Sequence, residues 1–277
     1  MDIWSRFNKH NNETLKPPCN QKRWLIVAPH ADDEIFAIPI ITHAKAMMIS
    51  VDILILGASL KRKEEAILAS RLINANIFMA DDIGFVAKDG YYHERISELV
   101  DVICRISSQY DKILAPALEG GHQDHDTAWL AVALSDAINK TDKGLYYRTY
   151  TAIGRLGMFI TSPVGSRYCD DIFKISWKSN RFIYLEQIYL ALIAYKSQLR
   201  TWIILVVGLL IKLSKGSMHH EVIACKRQDF DSLFRSLDII LEKACLFEIH
   251  GRMLQSSWRA HALKAVMTYN QHRPRDT

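Results

Sequence analysis

Two periodicities alternate along the first half of the chain. Short apolar runs at residues 24–28, 51–56, 76–79 and 112–116 have the length of buried strands. Between and after them, at about 33–47, 61–74, 92–109 and 125–139, apolar residues recur every three or four positions, the spacing of a helix that buries one face. Strand and helix in regular alternation predict a parallel sheet with helices on both faces, because each strand must be returned to the same edge by a crossover.

After Gly144 the pattern loosens. Tyr146–Ala152 and Asp171–Trp177 read as strands, and a helix is expected from about Asn180 to Leu199. An apolar run, Thr201 to Ile211, then stands between Arg200 and Lys212. The tail from Asp229 to Gln271 reads as helices, with Leu233, Leu237, Ile240, Leu241 and Ala244 on one face. Residues 1–22 form an irregular lead-in ending in Lys16-Pro17-Pro18, and residues 23–277 are expected to make a single domain with 229–277 as a helical extension. The expected fold class is α/β: a Rossmann-like, mostly parallel sheet flanked by helices, with a divergent, largely helical C-terminal part.

Composition narrows the function classes. With 277 residues and 49% hydrophobic content the chain can build a continuous core, which excludes general disorder. The net charge of +5 is spread along the sequence rather than gathered in a block, so no nucleic-acid partner is expected, while an anionic small substrate or a membrane surface suits it. The five cysteines are far apart with no C-x-x-C, which argues against a zinc ribbon or disulfide scaffold and for a reducing compartment. The first 21 residues are charged and polar where a secretory signal would be apolar, so a cytoplasmic location is expected. The run 201–211 is shorter than the roughly 20 residues of a bilayer span. It is expected to be a core helix or, alternatively, an interfacial patch giving peripheral contact with a membrane or a lipid-linked substrate.

Candidate chemistry is concentrated in two clusters. Pro29-His30-Ala31-Asp32-Asp33-Glu34 leaves the first strand, and Gly120-Gly121-His122-Gln123-Asp124-His125 follows the strand at 112–116. In an open parallel sheet such loops gather at the carboxyl edge, where ligands bind. A divalent metal that hydrolyses an amide needs three protein ligands, a free position for water and a nearby base. His30, Asp33 and His125 supply two nitrogens and a carboxylate, a donor set that favours zinc while admitting iron(II), cobalt or manganese. Asp32, beside a ligand, is placed to act as general base. His122 polarises the scissile carbonyl or protonates the leaving amine, and Asp124 orients His122 or holds a ligating imidazole. The ordinary alternative, acids capping a helix start and complementing its dipole, explains either cluster alone but not both together. His219-His220-Glu221 reads as rim or surface, since neighbours on a strand face opposite ways.

At these residues the chain resembles the PIG-L/LmbE-like family of metal-dependent N-acetylglucosamine deacetylases, which typically show A-H-P-D-D-E early and G-H-P-D-H later. Ala31 and Gln123 stand where the family has proline, which touches loop shape rather than ligand identity. The resemblance runs over roughly residues 23–200 and implies that His30, Asp33 and His125 bind zinc and that Asp32 is the base. It also implies that Arg62 contacts substrate hydroxyl or phosphate groups and that Asp82 binds sugar hydroxyls. Tyr195-Lys196-Ser197-Gln198 resembles the family's H-x-S-Q signature, expected to be structural support. Gly120 stands where some members carry an oxyanion-stabilising tyrosine, leaving the metal, His122 or another residue to that task, with Tyr146, Tyr147 and Arg148 near enough in sequence to be candidates although they read as strand residues.

The expected activity is therefore zinc-dependent removal of an acetyl group from an N-acetylated amino sugar or its conjugate, releasing acetate. A deacylase of a natural-product N-acyl group is one alternative. A non-catalytic sugar- or nucleotide-binding module is another, although the first strand-to-helix turn lacks G-x-G-x-x-G and carries acids where a pyrophosphate would sit.

Overall fold

The computed structural model describes residues 21–118, 122–147, 149, 172–178, 182–214, 219–225 and 252–271. Its strands are β1 Arg23–His30, β2 Ser50–Gly57, β3 Asn76–Met79, β4 Lys112–Pro116, β5 Gly144–Tyr147, β6 Ile172–Lys178 and β7 His219–Cys225. The helices are α1 Ile38–Ala46, α2 Leu60–Ile73, α3 Ile96–Ser107, α4 Gln123–Asn139, α5 Phe182–Ile193, α6 Leu199–Ser214 and α7 Arg252–Gln271. One seven-stranded sheet runs in the order β3-β2-β1-β4-β5-β7-β6. The first five are parallel, and β7 pairs antiparallel with both β5 and β6.

Alternation along β1 divides the core. Leu25 and Val27 face one layer, with α3, α4 and α7, while Ile26 and Ala28 face the other, with α1, α5 and α6. The chain order reverses between β1 and β4, so the loops that leave these two neighbours diverge and open a crevice at the carboxyl edge. The expected α/β fold with helices on both faces is the observed one.

Element ends shift for local reasons. β1 reaches two residues further than expected, through Pro29 to His30, because pairing with β4 ends at Ile26 and the missing proline N–H falls beyond that ladder. The expected helix at 33–47 is a 3-10 turn, Asp33–Ala37, followed by α1, whose start is fixed by Pro39 in its first turn. The helix expected at 92–109 begins as a 3-10 turn, Tyr92–Arg95, before α3. The apolar run 201–211 lies within α6, whose Trp202 and Leu209 are buried. The lead-in to residue 20, Arg148, residues 150–152 of an expected strand, and most of the predicted tail helix from Asp229, through residue 251, lie outside the described residues.

Polar groups also close the amino edge. Asp52, 1% exposed at the start of β2, accepts from Arg23 Nη2 at 2.5 Å, Asn76 Nδ2 at 2.9 Å and Tyr110 Oη at 3.1 Å. α7 backs α4 on the outer side, where Trp258 Nε1 donates to Thr127 Oγ1 at 3.0 Å.

Candidate active site

β1 delivers His30 at its last residue, and the turn that follows brings Asp33 back onto it. Asp33 Oδ2 accepts from the His30 backbone N–H at 3.0 Å and lies 3.1 Å from His30 Nδ1. The same oxygen is 3.2 Å from Nε2 of His125, which α4 carries in its first turn. Residues 95 positions apart thus meet on one carboxylate oxygen, and all three are buried.

The outward nitrogen of each imidazole is also held. His30 Nε2 lies 3.0 Å from Asp124 Oδ2 and 3.0 Å from Asp89 Oδ1, and His125 Nδ1 lies 3.3 Å from Thr149 Oγ1. Both imidazoles are thus held through both ring nitrogens, which fixes their orientation. Ring nitrogens of His30, His122 and His125 lie within 4.8 Å of one another, and so do ligand atoms of His30, Asp89 and Asp124. Imidazoles and carboxylates gathered in this way are donor chemistry that suits a divalent cation, with His30 common to both groups.

His122 is the N-cap of α4, its Nδ1 accepting the Asp124 N–H at 3.3 Å. Its ring stacks on that of His125 with centroids 4.5 Å apart, and it is only partly buried, so it borders the crevice. Asp124 Oδ2 meets the His30 imidazole. Its carboxylate also accepts the Gly90 N–H at 2.6 Å and the Tyr92 N–H at 3.2 Å. Those bonds pull the loop before α3 over the site and set Asp89 beside His30.

Asp32 occupies an unusual backbone conformation, φ 126°, rare for a residue with a Cβ. Its carboxylate is fixed from far away in sequence, with Trp202 Nε1 of α6 donating to Oδ2 at 3.2 Å. Next to it, buried Glu34 accepts the Asp32 N–H at 3.0 Å and a hydrogen bond from Tyr195 Oη. Ser197 donates to Glu65 through its N–H at 2.8 Å and its hydroxyl at 2.6 Å, tying the same turn to α2. The segment resembling H-x-S-Q thus braces both the catalytic-looking loop and the helix that carries Arg62.

The acids are in excess here. Burial and the neighbouring Asp33 charge push Asp32 up to about 8, with Arg62 pulling the other way. Burial also raises Glu34 to about 7 against the opposing bond from Tyr195. Burial disfavours the charge on Asp33 as well, yet His125 and His30 hold it well below the usual carboxylate range. Burial likewise opposes protonation of His30, and its contacts with Asp124, Asp33 and Asp89 outweigh it and raise the imidazole well above its ordinary value.

Two results depart from the sequence reading of the substrate side. The acid that meets Arg62 is Asp89, at 3.6 Å from Nη1. Asp82 is exposed on the 3-10 turn Ala80–Ile83, whose Asp81 pairs with Lys63, and it takes no part in the hydrogen bonds of the cluster. Tyr146 and Tyr147 are buried strand residues, and Tyr147 Oη donates to Val27 O at 3.2 Å. The sequence reading also passed over Tyr92, whose buried ring lies 5.7 Å from that of His30 and whose hydroxyl has no hydrogen-bond partner among the described residues. Gly57, opposite His30 in the β1–β2 register, makes room for it, since a Cβ there would collide with the phenol.

No protein-family model and no curated protein matches the sequence. Solved structures do match. The triple mutant of the Orf2* deacetylase of the teicoplanin biosynthetic pathway is 14% identical, with 75% of this chain and 99% of that chain covered at a TM-score of 0.58. The zinc-inhibited form of teicoplanin deacetylase Orf2 is 12% identical, over 75% and 100% of the two chains, at 0.55. The conserved protein TT1542 from Thermus thermophilus is 17% identical, over 74% and 95%, at 0.52. The chain has the fold of these proteins.

Proposed function

We propose that the chain is a PIG-L/LmbE-like hydrolase that removes the acetyl group from an N-acetylated amino sugar conjugate, using a divalent cation held by His30, Asp33 and His125. The observation that carries this reading is the shared Asp33 oxygen between two imidazoles, each anchored through its other nitrogen. Zinc is the cation the donor set favours, and when bound it supplies Lewis acidity toward an acetamide oxygen and lowers the pKa of a water.

The remaining work falls to side chains. Asp32 takes the proton of the attacking water, held for that task by the Trp202 indole. The half-buried His122, at the rim, donates to the developing oxyanion or to the leaving amine. Arg62 and Asp89 form the polar wall beside His30 and are suited to sugar hydroxyls, the arginine through its forked donors. Asp82 keeps a role only toward a part of the substrate that reaches the exposed turn. Likeness in fold to teicoplanin-pathway deacetylases favours, as a second reading, a natural-product glycoside over a free sugar.

The test is loss of an acetyl group from N-acetylhexosamine conjugates, followed by mass spectrometry. Asp32→Asn should keep its cation and lose about a thousandfold in turnover. Normal turnover by that variant would remove the base assignment.

A further inference from the structure

α5 and α6 pack on the sheet layer opposite α7, and each is apolar on two sides. On α5, Ile183 and Leu190 point into the core while Phe182, Leu185 and Tyr189 are exposed. On α6, Trp202 and Leu209 point inward, whereas Ile203, Val207 and Leu210 are 55%, 45% and 47% exposed. Helices with apolar residues on both sides are normally covered on both. Among the described residues the outward stripes of these two touching helices are exposed, apolar surface of the kind that marks a docking face.

Charge identifies the occupant. From Ile172 to Lys215 the sequence carries seven lysines and arginines against one acid, Glu186. Exposed Lys178 and Lys196 flank α5 at its two ends. Beside the stripe, a cavity of about 370 Å³ opens between α1, α2 and α5, lined by Ile38, Ile41, Leu72 and Tyr189, with Lys45 and Glu186 offsetting each other there. We propose that this α5–α6 face docks on the surface of an anionic bilayer, with the lysines at the headgroups and the apolar stripes at the acyl boundary.

The geometry suits lying on a membrane rather than crossing it. At 16 residues α6 spans about 24 Å, short of a hydrocarbon core of about 30 Å, and no helix among the described residues is long and apolar enough to cross. A second copy of the chain fits this face less well, because a two-fold contact would bring the basic ends of both copies together. The docking stands on the exposed face and its charge, independently of the deacetylase reading.

The experiment is sedimentation of the full-length protein with vesicles of phosphatidylcholine alone or mixed with phosphatidylglycerol, with no metal or substrate added. The protein should pellet with the mixed vesicles, less as salt rises, and stay in solution with phosphatidylcholine. Ile203→Glu combined with Val207→Glu should cut vesicle binding at least about tenfold, and so should Phe182→Glu combined with Leu185→Glu. Met267→Glu, at an exposed position of α7, should change nothing, and circular dichroism should show all variants folded. Wild-type protein that ignores anionic vesicles, or outward variants that pellet like wild type, overturns the proposal. A wild-type dimer that the α6 variant turns into a monomer also overturns it, since a second copy then covers the face.

Discussion

At the amino edge of the sheet, buried Asp52 meets one guanidinium, one amide and one phenol. At the carboxyl edge, Asp32, Asp33, Glu34, Asp89 and Asp124 crowd around two imidazoles and Arg62, and burial pushes two of the acids toward neutrality. Both edges bury carboxylates at the ends of the same strands. They differ in charge balance: the first is self-contained, whereas the second has negative charge left over, which is the condition a bound cation relieves.

Breaking each edge in turn should give opposite phenotypes. The largest effect is expected from His125→Ala, which should lower cation affinity more than about a hundredfold, read as metal content after dialysis, while the chain still folds. Retention of a full equivalent of metal would erase the contrast. Asp52→Ala should do the reverse, leaving metal content unchanged but costing about 3 kcal/mol in urea unfolding, because Arg23 loses its buried partner.

A smaller effect sharpens the comparison through pH. Glu34 is pushed by burial from 4.5 to about 7, so the folded chain holds this proton more tightly than the unfolded one. Its stabilising contribution is complete below 4.5 and is lost as pH rises through about 7. In the presence of a chelator, wild type should lose on the order of 1–3 kcal/mol relative to Glu34→Gln across that window. Saturating zinc should shrink the difference, and identical pH profiles would show that Glu34 does not carry the excess.

Most of the layer architecture was legible because strands and helices differ in period. The boundaries that moved did so where proline mattered: Pro29 could stay in the strand because no ladder needed its N–H, and Pro39 set the start of α1. The two motif clusters were legible as a site because both follow strands that end at the same edge. Their braces were not, since Tyr195 and Trp202 reach Glu34 and Asp32 across 161 and 170 residues, and no local pattern encodes such a pairing. Asp89 had a local signal, the Asp89-Gly90 turn, with Gly90 at φ 86°. The signal marks a bend but not its neighbours. Asp82, in an equally plain turn, ended on the surface.

The twisted backbone at Asp32 restricts what inheritance can place there. At φ 126° any side chain with a Cβ strains the main chain, and glycine is borne most easily. Glycine cannot accept a proton. Steric ease and acid–base capability therefore pull this codon in opposite directions, and an acid there is kept at a cost to the backbone.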